Sequence, residues 1–347
     1  MECPRHWALA KPTILVEKLT MTKSASPAQV GILLYPGAQR AAVYGLSDIF
    51  TVANQMRRER LALDIPEIRI CQWQLDAQGV MACIDDTDPQ AEHAPAVIIV
   101  PPCLGGQPDA LKARPLIASL KRWHDAGAVV SSVCAGVYLL AEAGLLDGRT
   151  ATTHWSLATH LADSYPSIQV DVDKMIIDDG DIITAGGLMA WTDLGLALVE
   201  RLLGPTIATE TAHFLVLDQV RHSQRCFKRF APQLTHGDEA ILKVQHWLHA
   251  HNGLTNGIAQ LAALASLGER TLLRRFRSAT GHTPTEYCQA LRISKACELL
   301  ELTNRSIEHI AWTIGYSDTG AFRRLFNKVT GLSPAHYRSR FGVNGAV

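Results

Sequence analysis

The 347-residue chain lacks several features that would assign it to a class directly. No stretch approaches the ~20 consecutive apolar residues of a transmembrane helix, so no membrane partner is expected. The N-terminus also lacks the uninterrupted apolar segment of a secretory signal. We therefore expect a cytoplasmic protein with a flexible N-terminal extension over residues 1–28, in which Met21 is an alternative to Met1 as the start of translation.

The cysteines and glycines lack the spacing of common cofactor motifs. The eight cysteines form no C-x-x-C pair and no Cys/His spacing typical of zinc sites, and they are scattered among apolar neighbours. Reduced core cysteines of a cytosolic protein have this distribution. No G-x-G-x-x-G or Walker A pattern occurs, which argues against a nucleotide. The sequence thus predicts neither a metal nor a cofactor.

The chain has 33 basic and 33 acidic side chains, so its net charge is zero, but these charges are unevenly distributed along the sequence. Residues 238–347 contain 13 Lys+Arg against 8 Asp+Glu, a net charge of +5, and the preceding residues carry the compensating −5. A basic C-terminal part behind an acidic N-terminal part favours one region that binds a polyanion and one that does not.

An internal repeat of 50 residues organises the basic part. RRFRSATGHTPTEY at residues 274–287 matches RLFNKVTGLSPAHY at residues 324–337, so that Phe276 corresponds to Phe326 and the motif Thr-Gly-x-x-Pro recurs. Two similar units joined by one rigid helix can present two recognition helices to successive major grooves, which lie about 34 Å apart on one face of B-DNA.

Each copy has the pattern of a helix-turn-helix unit. Short amphipathic helices are predicted at residues 257–265 and 306–314, and Pro284 opens a longer helix that runs to residue 302. Ser317 is the predicted N-cap of the last recognition helix. A short helix, a tight turn and a second helix with arginines beyond its apolar face favour helix-turn-helix; an ordinary helical hairpin with a solvated basic face is the alternative for one unit alone.

The segment ISKACELLELTNRSIEHIAWTIGYSDTGAFRRLFNKVTGLSPAHYR closely resembles the AraC/XylS family of DNA-binding domains. The resemblance implies an all-α domain with two helix-turn-helix units, bound to double-stranded promoter or operator DNA, with RNA polymerase as a further partner. It places core side chains at Leu272, Phe276, Phe322 and Phe326. Transferred by position, the DNA-binding residues are Arg270, Thr271, Arg274, Arg277, Thr319, Gly320, Arg323 and Arg324. Phosphate contact alone is the alternative role, above all for Arg277 and Arg323.

The preceding part alternates apolar runs with helical patterns. Four strands are predicted at residues 30–37, 67–75, 96–102 and 129–133, and a late strand pair at 175–177 and 182–184. Helices are predicted at residues 44–58, 111–126, 137–143, 190–203 and 205–220. Such runs suit a sheet that helices cover on both faces, which predicts an α/β doubly wound domain.

Within it, SVCAG at residues 132–136 has the small-x-nucleophile-x-small pattern of a nucleophile elbow around Cys134. We expect the dipole of the following helix to favour the thiolate. His154 follows in ATTHW. A buried small cysteine and a core histidine are the alternative interpretation of this pair.

CAGVYLLAEAGLLDGRTATTHW and ITAGGLMAWTDLGLALVERLLG resemble the PfpI-like (class I glutamine amidotransferase-like) superfamily over about residues 30–221. Together with the AraC/XylS-type part, this layout is similar to the GlxA-like group of bacterial transcription regulators. The resemblance implies a homodimer, most simply an activator, that responds to a small polar metabolite such as an amino acid or a quaternary amine.

Three departures from the PfpI-like pattern argue against catalysis. Ala135 stands where the peptidases have a histidine, and Ala42 stands where catalytic relatives have an acidic residue. Pro102 has no N–H to donate to an oxyanion, a donor typically worth about 2.7–4 kcal/mol. We therefore predict a protein that is not an enzyme, with a degenerate elbow at Cys134 and His154; a PfpI-like amidase, hydratase or glyoxalase with an accessory DNA-binding domain is the alternative.

If the elbow is not catalytic, we predict that the cavity beside it binds a ligand. Its expected lining is Cys134, His154, Trp155, Tyr138, Tyr44 and Trp191. An aromatic cage would bind a quaternary cation by cation-π attraction, although core packing is the alternative role of these aromatic rings. The expected domains are residues 29–224 for ligand sensing and dimerisation, residues 225–237 as a linker, and residues 238–341 for DNA binding.

Overall fold

A computed structural model describes residues 26–343 except residues 63, 110 and 219–222. The predicted extension up to residue 25, and with it the choice between Met1 and Met21, lies outside the described residues.

A seven-stranded mixed sheet forms the centre of the N-terminal part, in the order β3-β2-β1-β4-β5-β9-β8. Its central strands are parallel, and the antiparallel pairs β2/β3 and β8/β9 form its two edges. The strands are β1 Ala28–Leu34, β2 Ile68–Leu75, β3 Met81–Asp86, β4 Val97–Val100, β5 Val129–Val133, β8 Ile176–Asp178 and β9 Ile182–Ala185, with the short separate pair β6 Thr150–Ala151 and β7 Gln169–Val170. Apolar runs become the central strands because both of their faces are buried.

Helices flank this sheet in two groups, α1 with α5 and α6, and α2 with α3. Their bounds are α1 Arg40–Glu59, α2 Arg114–Asp125, α3 Val137–Glu142, α4 Ala158–Ser164, α5 Trp191–Leu203 and α6 Pro205–Phe214. The predicted α/β doubly wound fold is confirmed. The helix predicted at residues 205–220 ends at Phe214, and residues 219 and 220 lie outside the described part of the chain. The edge strand β3 was not predicted, because its side chains are half-exposed and give no apolar run.

Up to residue 343, where the described part ends, the C-terminal part has seven α-helices. They are α7 Glu239–Ala250, α8 Ile258–Ala265, α9 Glu269–Thr280, α10 Pro284–Leu302, α11 Ile307–Thr313, α12 Thr319–Thr330 and α13 Pro334–Phe341. The predicted all-α part with two helix-turn-helix units is confirmed, as α8–α9 and α11–α12. Asp318 caps α12 by accepting a hydrogen bond from the N–H of Gly320, so Ser317 was the wrong prediction for the N-cap.

The 50-residue repeat reappears as two copies of one aromatic core contact. Phe276 meets Tyr287 edge to face at 5.2 Å between ring centroids, and Phe326 meets Tyr337 in the same way at 5.3 Å. All four rings are fully buried, each pair in its own hydrophobic cluster. Edge-to-face pairs add about 0.5–1.5 kcal/mol beyond area burial, so each unit has a core of its own.

Candidate ligand site and nucleic-acid interface

Cys134 lies where β5 ends, on a sharp turn that opens α3. Its φ angle of 55° is in the left-handed region, which is strained for a residue with a side chain. The following Gly136 passes the end of β4 so closely that a Cβ atom there would lie 2.8 Å from the carbonyl oxygens of Val100 and Pro101. The strand, the strained cysteine and the obligatory glycine have the geometry of a nucleophile elbow.

The thiol of Cys134 is nevertheless held in its neutral form. Burial raises the pKa of Cys134 to about 11, although the backbone N–H groups of Ala135 and His154 oppose that shift. Desolvation therefore outweighs the effect expected from the helix N-terminus, although the backbone N–H groups act in the expected direction. Cys134 itself begins a three-residue 3₁₀ turn that precedes α3.

Among the residues that the structure describes, no basic or acidic side chain forms a hydrogen bond with the thiol of Cys134. Ala42 is fully buried on α1, and the carbonyl of Pro102 accepts from the N–H of Gln39. The imidazole Nδ1 of His154 bonds to the hydroxyl of Ser156 at 2.7 Å, and burial lowers the pKa of His154. The structure brings Cys134 and His154 together, as predicted from sequence, but the group of His154 that reaches the thiol is its backbone N–H.

Two buried polar atoms lie on Gln39, which sequence reasoning missed, and on Trp191, which it had placed in the ligand pocket. The side-chain oxygen of Gln39 and the indole N–H of Trp191 have no hydrogen-bond partner within the described residues. Gln39 is 7% exposed, and its amide nitrogen contacts the sulfur of Met189 at 3.7 Å. Buried polar groups are normally paired, so an acceptor and a donor left open are what a polar ligand would complete. No sequence motif marks Gln39.

The four predicted pocket aromatics occupy different places. Tyr138 is buried in the core, and its hydroxyl bonds to His160 at 2.9 Å. Trp191 lies against Gly45 of α1, and the neighbouring Tyr44 is 54% exposed. Trp155 stacks obliquely on His154 and lines a separate cavity. Across the described part of the chain, no ring contact joins any two of these four aromatics.

That cavity, of about 560 Å³, lies between the segment after His154 and the helical part. Its lining includes five side chains that carry or can gain positive charge, Arg225, Lys228, Arg229, His282 and Lys328. Of the residues predicted from sequence for the ligand pocket, Trp155 is the one that borders it. The cavity thus lies between residues 155–159 and the end of α12, which contributes Lys328, Val329 and Thr330.

One glutamine joins the elbow to the chain that leads into the helical part. The buried Gln224 donates to the carbonyl of Thr153 at 2.8 Å, and Thr153 in turn donates its hydroxyl to the carbonyl of Cys134 at 2.9 Å. The next residue, Arg225, donates to the carbonyl of Lys328 in α12. A path of hydrogen bonds therefore runs from the elbow to a recognition helix.

The predicted DNA-binding residues of the first unit lie along one side of α9. Arg270, Arg274 and Arg277 are exposed and Thr271 is half-exposed, while Leu272 and Phe276 are fully buried. Within the described residues, no hydrogen bond or ion pair engages these three guanidinium groups. Arg275, by contrast, pairs with Asp238, the N-cap of α7, at 2.7 Å. The side of α9 that faces solvent is therefore a free basic surface.

The second unit has the same layout with its arginines already paired. Arg323 contacts Glu308 at 2.8 Å and Arg324 contacts Asp318 at 3.6 Å, and both arginines are exposed. Thr319 and Gly320 form the first turn of α12 and are half-exposed. Exposed ion pairs contribute about 0–1 kcal/mol, so DNA phosphates can displace these carboxylates at little cost.

An α/β domain with an elbow, followed by two helix-turn-helix units with basic recognition helices, defines a class of two-part DNA-binding regulators. Residues 71–201 match the DJ-1/PfpI family, and residues 261–340 match a helix-turn-helix domain family. No helix in the described ranges combines the length and apolar character needed to cross a bilayer.

Curated relatives agree with this class. The HTH-type transcriptional regulator CdhR of Pseudomonas aeruginosa is 30% identical over 226 residues, which are 65% of this chain and 67% of the relative. The HTH-type transcriptional regulator ArgR of the same organism is 25% identical over 91% of this chain and 94% of its own length. A crystal structure of an AraC family transcriptional regulator from Pseudomonas putida, 19% identical, matches 55% of this chain and 100% of its own with a TM-score of 0.44. The chain belongs to the HTH-type transcriptional regulators that join a DJ-1/PfpI domain to an AraC-type DNA-binding domain.

Proposed function

We propose that this protein is a ligand-responsive, sequence-specific transcription regulator that reads its operator with α9 and α12. The observation that supports this most directly is the repeated recognition helix, with the same buried aromatic pair behind it and exposed arginines in front of it. The connecting helix α10 has 19 residues, a length of about 28 Å at 1.5 Å per residue. That length suits two units that enter major grooves about 34 Å apart.

Selection of bound sequences from a random DNA library with the full chain tests this function. We expect one enriched operator with two half-sites about one helical turn apart, bound on the order of 10³-fold or more tighter than random DNA. Candidate metabolites are then added to the selected complex. Recovery of unenriched DNA alone would contradict sequence-specific reading.

We infer that the α/β domain senses a small polar metabolite, such as an amino acid or a quaternary amine, beside the elbow. The open acceptor of Gln39 and the open indole N–H of Trp191 support a ligand with both a donor and an acceptor. A ligand at 100 times its Kd should add about 2.7 kcal/mol to the free energy of unfolding, which thermal-shift measurements detect. The separate positions of the four aromatics give no support to a cage built from all of them.

The elbow is proposed to have no catalytic role. The thiol of Cys134 is neutral, position 42 carries no carboxylate, and Pro102 has no N–H to donate. The turn therefore has the backbone of a nucleophile elbow without the groups that would activate the thiol. The strained φ of Cys134 and the two N–H groups at its sulfur are the observations that favour the alternative, a PfpI-like enzyme with an accessory DNA-binding domain.

Alkylation kinetics of Cys134 distinguish a non-catalytic regulator from a PfpI-like enzyme. With a pKa near 11, about one thiol in 10⁴ is ionised at pH 7, so iodoacetamide should react slowly. The rate should rise about tenfold per pH unit between pH 7 and 10, because the thiolate is the nucleophile. Cys297 is the internal comparator, since it is equally buried and burial also raises its pKa to about 11. Peptide mapping that shows Cys134 reacting far faster than Cys297 at pH 7 would support the enzyme.

Signal transfer is proposed to use Gln224. Gln224→Ala removes the donor to the carbonyl of Thr153, while the carbonyl of Lys174 keeps the hydroxyl of Thr152, and the lost bond should lower the free energy of unfolding by about 1–3 kcal/mol. We expect operator affinity without effector to stay within about twofold, because no recognition residue changes, and the change on adding effector to shrink. Fluorescence anisotropy of labelled operator measures both quantities.

Gln233→Ala is the control, because Gln233 contributes its backbone carbonyl to Gln245 and so keeps that contact when its side chain is shortened. An unaltered effector response in Gln224→Ala would rule out this path.

The remaining proposals concern the assembly on DNA. We propose a cytoplasmic homodimer formed by the α/β domain, with residues 225–237 as the connection to the DNA-binding domain. Linkage of two DNA-binding domains raises affinity for repeated half-sites, often 10²–10⁴-fold, without any new contact. Activation through RNA polymerase is the simplest outcome of such binding beside a promoter.

A further inference from the structure

Four side chains with metal-binding atoms converge at one edge of the sheet. Cys71 comes from β2, Cys83 and Asp86 from β3, and His93 from the segment before β4. Their ligand atoms, two sulfurs, a carboxylate oxygen and Nδ1, all lie within 4.8 Å of one another. The elbow, by contrast, follows β5 at the centre of the sheet.

We propose that these four residues bind one Zn²⁺. Thiolate, imidazole and carboxylate are the ligand types that zinc takes in tetrahedral sites. Bonds of 2.0–2.3 Å in that geometry place neighbouring ligand atoms roughly 3.4–3.8 Å apart. Asp86 Oδ2 lies 3.8 Å from His93 Nδ1 and 4.0 Å from Cys83 Sγ, so these pairs need to close by only a few tenths of an ångström.

The buried Arg69 balances the charge of such a site. One Zn²⁺, two thiolates and one carboxylate sum to −1, and the guanidinium restores neutrality. Arg69 holds both oxygens of Asp86, through Nε at 2.9 Å and Nη2 at 2.6 Å. It also donates to the carbonyls of Ala91 and Glu92, which places the backbone next to His93. Outer-shell contacts of this kind orient the ligands of known metal sites.

The imidazole of His93 offers its lone pair to the cluster. Its Nδ1 lies 3.1 Å from the amide nitrogen of Gln29 and 3.4 Å from Nη2 of Arg69, and both of these groups are donors. Nδ1 is therefore the acceptor nitrogen. The same amide nitrogen of Gln29 donates to Cys71 at 3.1 Å. Two N–H donors thus reach the inward-facing acceptors, and Zn²⁺ would take over the contacts of Gln29.

Four protein ligands leave no open position, so the site would be structural. It would tie the edge hairpin β2–β3 to the segment that leads into β4. Sequence spacing predicted no metal because the four ligands are separated by 11, 2 and 6 residues. The register shift between Gln72 and Trp73 in the β2/β3 pairing brings Cys71 opposite Asp86 and so assembles the cluster.

Titration of the reduced, chelator-stripped full chain with Co²⁺ tests the proposal. We expect the visible absorption of tetrahedral Co²⁺ together with thiolate-to-cobalt charge transfer, saturating at one ion per chain and lost on addition of Zn²⁺. Bound Zn²⁺ should protect Cys71 and Cys83 from alkylation in a peptide map.

Two variants and one control complete the test. Cys83→Ser and His93→Gln should each weaken Zn²⁺ binding by roughly 100-fold or more, and Cys288→Ser, in the helical part, should leave it unchanged. His93 is exposed, so its variant keeps the test valid if Cys83→Ser fails to fold. Absence of the tetrahedral spectrum, an unaltered spectrum in His93→Gln, or a Cys71–Cys83 disulfide that takes up no zinc after reduction would each overturn the site. None of these readouts depends on DNA or effector binding.

Discussion

Phe326→Ala is expected to lower the free energy of unfolding of the second helix-turn-helix unit by about 3–5 kcal/mol, the usual range for a fully buried phenylalanine. The loss combines the transfer free energy of the ring, the cavity that remains, and the edge-to-face contact with Tyr337. Domain stabilities are about 5–15 kcal/mol, so much of the unit's stability would disappear. Operator binding should fail at temperatures at which the parent protein still binds.

Urea titration followed by circular dichroism, with calorimetry to separate the transitions of the two parts, measures this effect. Val329→Ala is the matched control, because Val329 lies on the same helix and is 42% exposed. Its substitution should change the free energy of unfolding by no more than about 0.5 kcal/mol. A loss below about 1 kcal/mol in Phe326→Ala would show that the ring does not support the unit.

Arg274→Ala and Arg270→Ala are expected to reduce operator affinity by about 1–3 kcal/mol each, roughly 5- to 150-fold. Arginine reads guanine through two hydrogen bonds, and these side chains lie one helical turn apart on the free face of α9. Binding to random DNA should fall far less, so the specificity ratio shrinks. For Arg277→Ala we expect affinity for operator and for random DNA to fall equally, as for a phosphate contact. The slope of log affinity against log salt concentration should decrease in magnitude by about one.

Arg275→Ala provides the control within the same helix. Its guanidinium pairs with Asp238, the N-cap of α7, so the substitution should affect stability and leave the specificity ratio unchanged. If Arg270→Ala and Arg274→Ala both weaken operator and random DNA equally, then the first unit does not read sequence as proposed.

The helical part was predictable because its signals are local. Helix α10 begins at Pro284 and ends at Leu302, as proline placement and apolar spacing predicted. The burial of Phe276 on α9 likewise follows from the spacing of residues three or four positions apart. The N-cap of α12 was predicted wrongly because Ser317 and Asp318 are adjacent and both residue types are favoured at N-caps, so the sequence alone does not discriminate between them.

The chemistry of the α/β part was less predictable, because burial and charge depend on residues distant in sequence. The motif around Cys134 indicated an elbow, but the pKa of its thiol depends on desolvation by packed neighbours. Gln39 and Gln224 carry no motif, and the roles proposed for them rest on their buried positions beside Met189 and Thr153.

The sequence by itself determined the alternation of the central strands with helices, the duplicated helix-turn-helix unit and the residue types at positions 42, 102 and 135, because periodicity and residue identity are properties of neighbouring positions. Only the tertiary structure decided which arginines of α9 face solvent, that the elbow thiol is neutral, and that Cys71 meets Asp86 across the sheet edge. Those properties depend on strand register and burial, which are set by contacts between residues far apart in the chain.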